Sequence, residues 1–193
     1  MNKHLTDMKN TVTKFYNSMQ KAKADIAKNN ETYLPEIAKE ANEKIESDLH
    51  ALERAAEAEI DKIGQEAVAD VERWKSLSGK EIDDADLKLL QGAFKLKKED
   101  IDALVLKHKD NGTMIRAIGD YAEAHNIVAM IPTPEAKIKA YSIAAGDAKN
   151  TLGHIEDSLT RTPDGSGFSI DALVNAFLDP DTLVNGQTMN VLL

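Results

Sequence analysis

Between Tyr33 and Trp74 the apolar residues fall at Tyr33, Ile37, Ala41, Ile45, Leu49, Leu52, Ala56, Ile60, Ile63, Ala67, Val71 and Trp74. From Ala41 onward the steps run 4, 4, 3, three times over without a break. An eleven-residue repeat corresponds to about 3.67 residues per turn, so the stripe winds very little around a straight helix. At about 1.5 Å per residue such a helix is a rod of roughly 60 Å. It cannot bury the stripe against itself, so another part of the chain, or another copy, must cover it.

The preceding segment carries a different period. Leu5, Met8, Val12, Phe15, Met19, Ala22 and Ile26 are spaced alternately by 3 and 4. That is a heptad pattern over three heptads, which suits a coiled coil or an amphipathic helix of a globular bundle equally. Charge distinguishes the two helices. Residues 1–30 hold six Lys against two Asp, whereas residues 31–76 hold six Lys or Arg against thirteen Asp or Glu. A basic helix beside an acidic one is favourable, and two acidic helices side by side are not. The first helix is therefore expected to pair with the second, within one chain as a hairpin or between chains. The break is expected at Asn29-Asn30-Glu31-Thr32, with Pro35 in the first turn of the next helix, where its missing N–H costs little. A continuous helix kinked at Pro35 is the alternative.

After Leu77-Ser78-Gly79 the pattern shortens. Ser78 and Glu81 have capping-box spacing, and helices are expected over Asp84 to Gln91, Lys97 to Lys109 and Thr113 to His125. Ile101, Leu104 and Val105 form one apolar face, and Met114, Ile115, Ile118 and Tyr121 another. Asn111-Gly112-Thr113 reads as a turn leading to a helix N-cap. Ile127 to Ile131, stopped by Pro132, reads as a buried extended connector. Thr133-Pro134-Glu135 starts a helix that should reach about Leu159. Gly146 and Gly153 weaken that helix or mark close helix contacts. Thr162 to Gly167 is a loop, and Ser169 caps a short helix to Leu178. The fold class expected is all-α: a long N-terminal helical hairpin or coiled-coil stalk followed by a compact bundle of shorter helices. The domains expected are 1–76, 77–131 and 132–193.

The segments Leu89-Leu90-Gln91-Gly92-Ala93-Phe94-Lys95-Leu96, Glu99-Asp100-Ile101, Asn111-Gly112-Thr113-Met114-Ile115-Arg116 and Tyr121-Ala122-Glu123 resemble stretches in small helical proteins of tailed phages and prophages of Gram-positive bacteria. The resemblance covers residues 89–126 and implies a non-enzymatic structural protein; it transfers no functional residue. The acidic rod is also similar in style to phage scaffolding proteins, but the basic C-terminal helix that those often carry has no counterpart here.

Composition narrows the chemistry. A net charge of −9 argues against general nucleic-acid binding, and the absence of cysteine removes thiolate catalysis and Cys-based zinc sites. Met1 to Lys14 has no apolar core of signal-peptide length, and no stretch is long enough to span a bilayer, so a bacterial host cytoplasm or a virion is the expected location. There is no Walker A sequence, no Gly-x-Ser-x-Gly and no His-Glu-x-x-His. Around Asp164-Gly165-Ser166-Gly167, Thr162 and Leu173 occupy the positions where a calcium loop needs acids. Glu46 with His50, and Glu53 with Glu57, lie one turn apart and read as a solvated acidic face. The Lys-bearing face of helix 1 is answered most simply by its acidic neighbour. No metal, cofactor or catalytic residue is therefore expected. The candidate interface consists of Val12, Phe15 and Met19 on the first helix, and Leu49, Leu52, Ile60, Ile63, Val71 and Trp74 on the second. The expected function is assembly through homo-oligomerisation and binding of another protein, with a monomeric adaptor for one protein partner as the alternative.

Overall fold

The computed structural model describes residues 3–76, 82–92 and 95–160, and within them the chain is all-α. Six helices follow in order: α1 (Lys3–Thr32), α2 (Pro35–Lys75), α3 (Asp84–Gln91), α4 (Lys98–Lys107), α5 (Gly112–Ala124) and α6 (Pro134–Thr160). They form two units. Of the described residues, 3–66 and 141–160 belong to the first and those within 67–140 to the second. The expectations for Ser78, Glu81, and the loop, short helix and tail after residue 161 lie outside the described residues.

In the first unit the heptad positions Leu5, Met8, Val12, Phe15, Met19 and Ala22 of α1 are buried, together with the adjoining His4 and Lys9, while Ile26 is half-buried. Val12, Phe15, Met19 and Ala22 share one core with Leu49 and Ile60 of α2 and with Ala148, Leu152 and Ile155 of α6. The α2 stripe is thus covered by two helices, one of them about ninety residues further along the chain. Full burial of a side chain such as Ile60 contributes about 1.5–3 kcal/mol. Helix α6 runs unbroken through Gly146 and Gly153, and a Cβ at either would meet nothing within 4 Å. Neither glycine marks a close helix contact.

The break between α1 and α2 falls later than expected. Helix α1 continues through Asn29 and Asn30 to Thr32, and the chain turns at Tyr33 and Leu34. The cause is Pro35, whose ring disfavours helical geometry at the residue before it. The asparagines lie in the helix and use their side chains instead. Asn29 Nδ2 donates to Asn42 Oδ1 at 3.0 Å, and Asn42 Nδ2 donates to Asn30 Oδ1 at 2.9 Å.

In the second unit, α3, α4 and α5 close around Leu90, Ile101, Leu104, Met114, Ile115, Ile118, Tyr121 and Ala122, with Trp74 packed against them. Local signals set the helix ends. Asp83 caps α3 by accepting from Ala85 N and Asp86 N, each at 3.1 Å. Asn111, not Thr113, caps α5: its Oδ1 accepts from Met114 N, and Thr113 sits inside the helix. Asn ranks above Thr as an N-cap, and from position 111 its carboxamide oxygen meets the N–H of the third helical residue. At the other end Asn126 adopts φ 54°, Asn126 N donates to Glu123 O, and Ile127 N donates to Ala122 O. This is a Schellman stop with Asn in the left-handed position. Thr133 Oγ1 accepts from Ala136 N at 3.1 Å, capping α6 in front of Pro134.

Residues 127–131 are extended but only half-buried. Ile127, Ala129 and Ile131 pack on the core, while Val128 and Met130 are 86% and 60% exposed. The period-2 alternation of an extended chain sends successive side chains to opposite sides.

Candidate functional site

The residues expected to form an interface are mostly used inside the chain. Val12, Phe15, Met19, Leu49 and Ile60 lie in the core of the first unit. Ile63 and Val71 are also buried. Leu52 stays 48% exposed. Trp74 is half-buried: its Nε1 donates to Lys109 O at 3.1 Å, and Lys137 Nζ lies 4.6 Å above its ring. Burial at this position lowers the Lys137 ammonium from its ordinary value. Apolar side chains that remain exposed include Tyr33, Leu34 and Ile37 at the α1–α2 turn, and Leu106, Val128 and Met130 in the second unit.

Two clusters of titratable side chains stand out, one in each unit. In the second unit, Asp86 and His108 are buried, and His108 Nε2 lies 2.6 Å from Asp86 Oδ2. Lys107 Nζ donates to the same Asp86 Oδ2 at 2.6 Å and to Asp83 Oδ2 at 2.9 Å. The hydrogen bond from Lys107, followed by that from His108, holds the Asp86 carboxyl below its ordinary range. Lys107 lowers Asp83 likewise, and the two aspartates raise Lys107. The ammonium supplies the positive charge that the two carboxylates require, so this cluster is a saturated network joining α3 to α4.

Among the described residues, no lysine or arginine is recorded between the carboxylates of the first unit's cluster. His50 and Glu53, one turn apart on α2, meet Glu156 of α6, and His50 Nδ1 faces Glu156 Oε1. One ligand atom from each residue lies within 4.8 Å of the other two. Glu53 is pushed up to about 7, first by burial, then by the hydrogen bond and charge of Glu156, with smaller contributions from Glu57 and Asp157. Two carboxyl groups this close, with little solvent between them, favour sharing a proton. Beside them is a groove open to solvent, of about 590 Å³, lined by Glu43, Glu46, Ser47, His50, Glu53 and Arg54. About two turns further along α2, Lys149 Nζ donates to Asp61 Oδ1 at 2.8 Å and ties α6 to α2 a second time.

The pairs evident in the sequence, Glu46 with His50 and Glu53 with Glu57, are not the ones the fold brings into a cluster. The operative pair is His50 with Glu53, and the third member comes from α6. A sequence signal for Glu156 exists in its place directly after Ile155, on the flank of the α6 apolar face. Among the described residues no helix is long and apolar enough to cross a membrane. Comparison with family models, with curated proteins and with solved structures finds no match for this chain.

Proposed function

We propose that this chain is a helical adaptor that works as a monomer, by binding one protein partner rather than by catalysis. The observation that carries this reading is the fate of the candidate interface. Val12, Phe15, Met19, Leu49 and Ile60 are consumed by a core that α1, α2 and α6 build within one chain. Residues already buried in this way have no apolar surface left to offer a second copy. The apolar side chains that remain for a partner lie elsewhere, and Val128 and Met130 project from extended backbone outside the core. Methionine is enriched at protein interfaces, and two neighbouring apolar side chains held out together give a partner surface to bury.

A self-associating assembly protein, with the phage origin that the resemblance implies, is the second reading. It draws on Ile37 and Leu52, which stay about half exposed on the α2 stripe. Light scattering coupled to size exclusion over a range of concentrations separates the two. A mass of one chain throughout is the expected result, and a concentration-dependent dimer or larger species would overturn the monomeric reading. The partner site is tested by changing Val128 and Met130 to Asp. The double variant keeps its helicity and loses a discrete protein that the native chain retains from a cell extract.

A further inference from the structure

We propose that His50, Glu53 and Glu156 form a binding site for one divalent transition-metal ion, of the chemical class of Zn²⁺. The donor set is one imidazole nitrogen and two carboxylates, which suits zinc and its first-row neighbours; calcium and magnesium prefer all-oxygen shells. The spacing also fits. Ligands at about 2.0–2.2 Å from a tetrahedral ion lie about 3.4 Å from one another. The three donor atoms here lie within 4.8 Å of each other, so small torsions of the flexible Glu side chains can adjust them to that spacing. Three protein ligands leave a fourth position for water, and the groove beside His50 gives it access to solvent.

A second observation points to a cation. Glu156 Oε1 is shut off from solvent and has no hydrogen-bond donor. His50 Nδ1 faces the same oxygen, so a nitrogen and an oxygen donor already stand together on one side of the place an ion would occupy. A buried carboxylate oxygen without a donor costs free energy that a bound cation removes. The contrast with the other cluster is chemical. At Asp83, Asp86 and His108 the place of the cation is taken by the Lys107 ammonium. At His50, Glu53 and Glu156 no lysine or arginine bridges the carboxylates in the described contacts. An ion there would join α2 to α6 across the first unit, so metal binding and the stability of that unit are linked.

The test is calorimetric titration of the full chain, first stripped with EDTA, with ZnSO₄. One ion per chain is expected, together with a rise of several degrees in the thermal midpoint at saturating Zn²⁺. Co²⁺ in place of Zn²⁺ should give a visible d–d band. His50→Ala and Glu156→Gln should each weaken binding by more than about 100-fold, because loss of an outer-shell partner alone costs about 10–100-fold at metal sites. Circular dichroism of each variant verifies that the helices persist, and Glu53→Gln, nearly isosteric, gives a third variant if one of the others fails to fold. Asp83→Asn should leave binding unchanged. The proposal is overturned if no stoichiometric Zn²⁺ binding occurs, if His50→Ala and Glu156→Gln bind as the native chain does, or if Asp83→Asn is the variant that abolishes it.

Discussion

Gly112→Ala tests the second unit at a single atom. Gly112 opens α5, and a Cβ built there would lie 1.9 Å from the Trp74 carbonyl oxygen, 2.9 Å from its carbonyl carbon and 3.2 Å from ring atom Cδ2. Two backbones would have to separate by more than 1 Å. Trp74 is poorly placed to yield: its indole donates to Lys109 O, its ring lies beneath Lys137, and it packs on the core of α3, α4 and α5. Overpacking of this kind costs about 1–3 kcal/mol, and contact with main chain rather than a flexible side chain places the cost at or above the upper end. Against it stands the ordinary gain of Gly→Ala in a helix, about 1 kcal/mol. The expected net is a destabilisation of about 2 kcal/mol. Gly146→Ala and Gly153→Ala supply the control, because a Cβ at either meets nothing within 4 Å; each should stabilise by up to about 1 kcal/mol. The chain holds one tryptophan, so urea unfolding followed by its emission reads the contact directly, and circular dichroism reads the controls. A Gly112→Ala protein as stable as the native chain, or more stable, would refute the close approach of α5 to Trp74.

Two further outcomes follow from the first unit. Glu53, raised to about 7 by burial and by the facing Glu156, Glu57 and Asp157, contributes stability that is fully present below its ordinary 4.5 and is lost as pH rises through 7. The whole shift corresponds to about 3 kcal/mol, which solvent screening of this half-buried group reduces to about 1–2 kcal/mol. With EDTA present, Glu53→Gln should gain that much on the native chain between pH 5 and pH 8.5 in urea titrations; parallel pH profiles would remove the shared proton from the account. On the α2 stripe, Ile60→Ala should cost about 2–5 kcal/mol because Ile60 is fully buried, whereas Leu52→Ala should stay within about 0.5–1 kcal/mol because Leu52 is half exposed. Equal losses from both, measured by chemical unfolding, would show that the stripe is covered differently.

Periodicity made the helices legible. The alternating 3-4 spacing of α1 selects its buried apolar residues from Leu5 to Ala22, and the 4-4-3 spacing of α2 runs with the buried line from Leu49 through Ile60, Ile63, Ala67 and Val71. Strong local chemistry was legible too: Pro35 and Pro134 each stand first in a helix, and α3 spans Asp84–Gln91 as its spacing indicates. Weaker local choices were decided by competition. Asn29 and Asn30 are poor helix formers, yet pairing with Asn42 keeps them helical, and the pre-proline position takes the turn instead. Asn111 caps α5 ahead of Thr113 because Asn is the stronger N-cap. What periodicity does not encode is the partner. A stripe states that something must cover it, and a basic helix next in sequence is the obvious candidate, but Ala148, Leu152 and Ile155 take part of the same surface from far along the chain.

The candidate metal site was illegible for the same reason, and it also shows where such sites can be sought. Glu156 lies more than a hundred residues from His50 and Glu53, so no spacing motif contains all three. Each carboxylate nevertheless has a local mark. Glu53 follows Leu52 and stands one turn after the buried Leu49; Glu156 follows the buried Ile155 and stands one turn after the buried Leu152. Residues one step off an apolar stripe sit on its shoulder, where a neighbouring helix leaves them half-buried. A single acid there reaches water and is unremarkable. When two helices pack so that both shoulders carry acids, the carboxylates converge, and only a proton or a cation can hold them together. The aspartates of the second unit converge within the first turn of α3 instead, and a lysine of α4 neutralises them. In the first unit the imidazole of His50 arrives instead of an ammonium, and that substitution is what turns an ion network into a set of ligands.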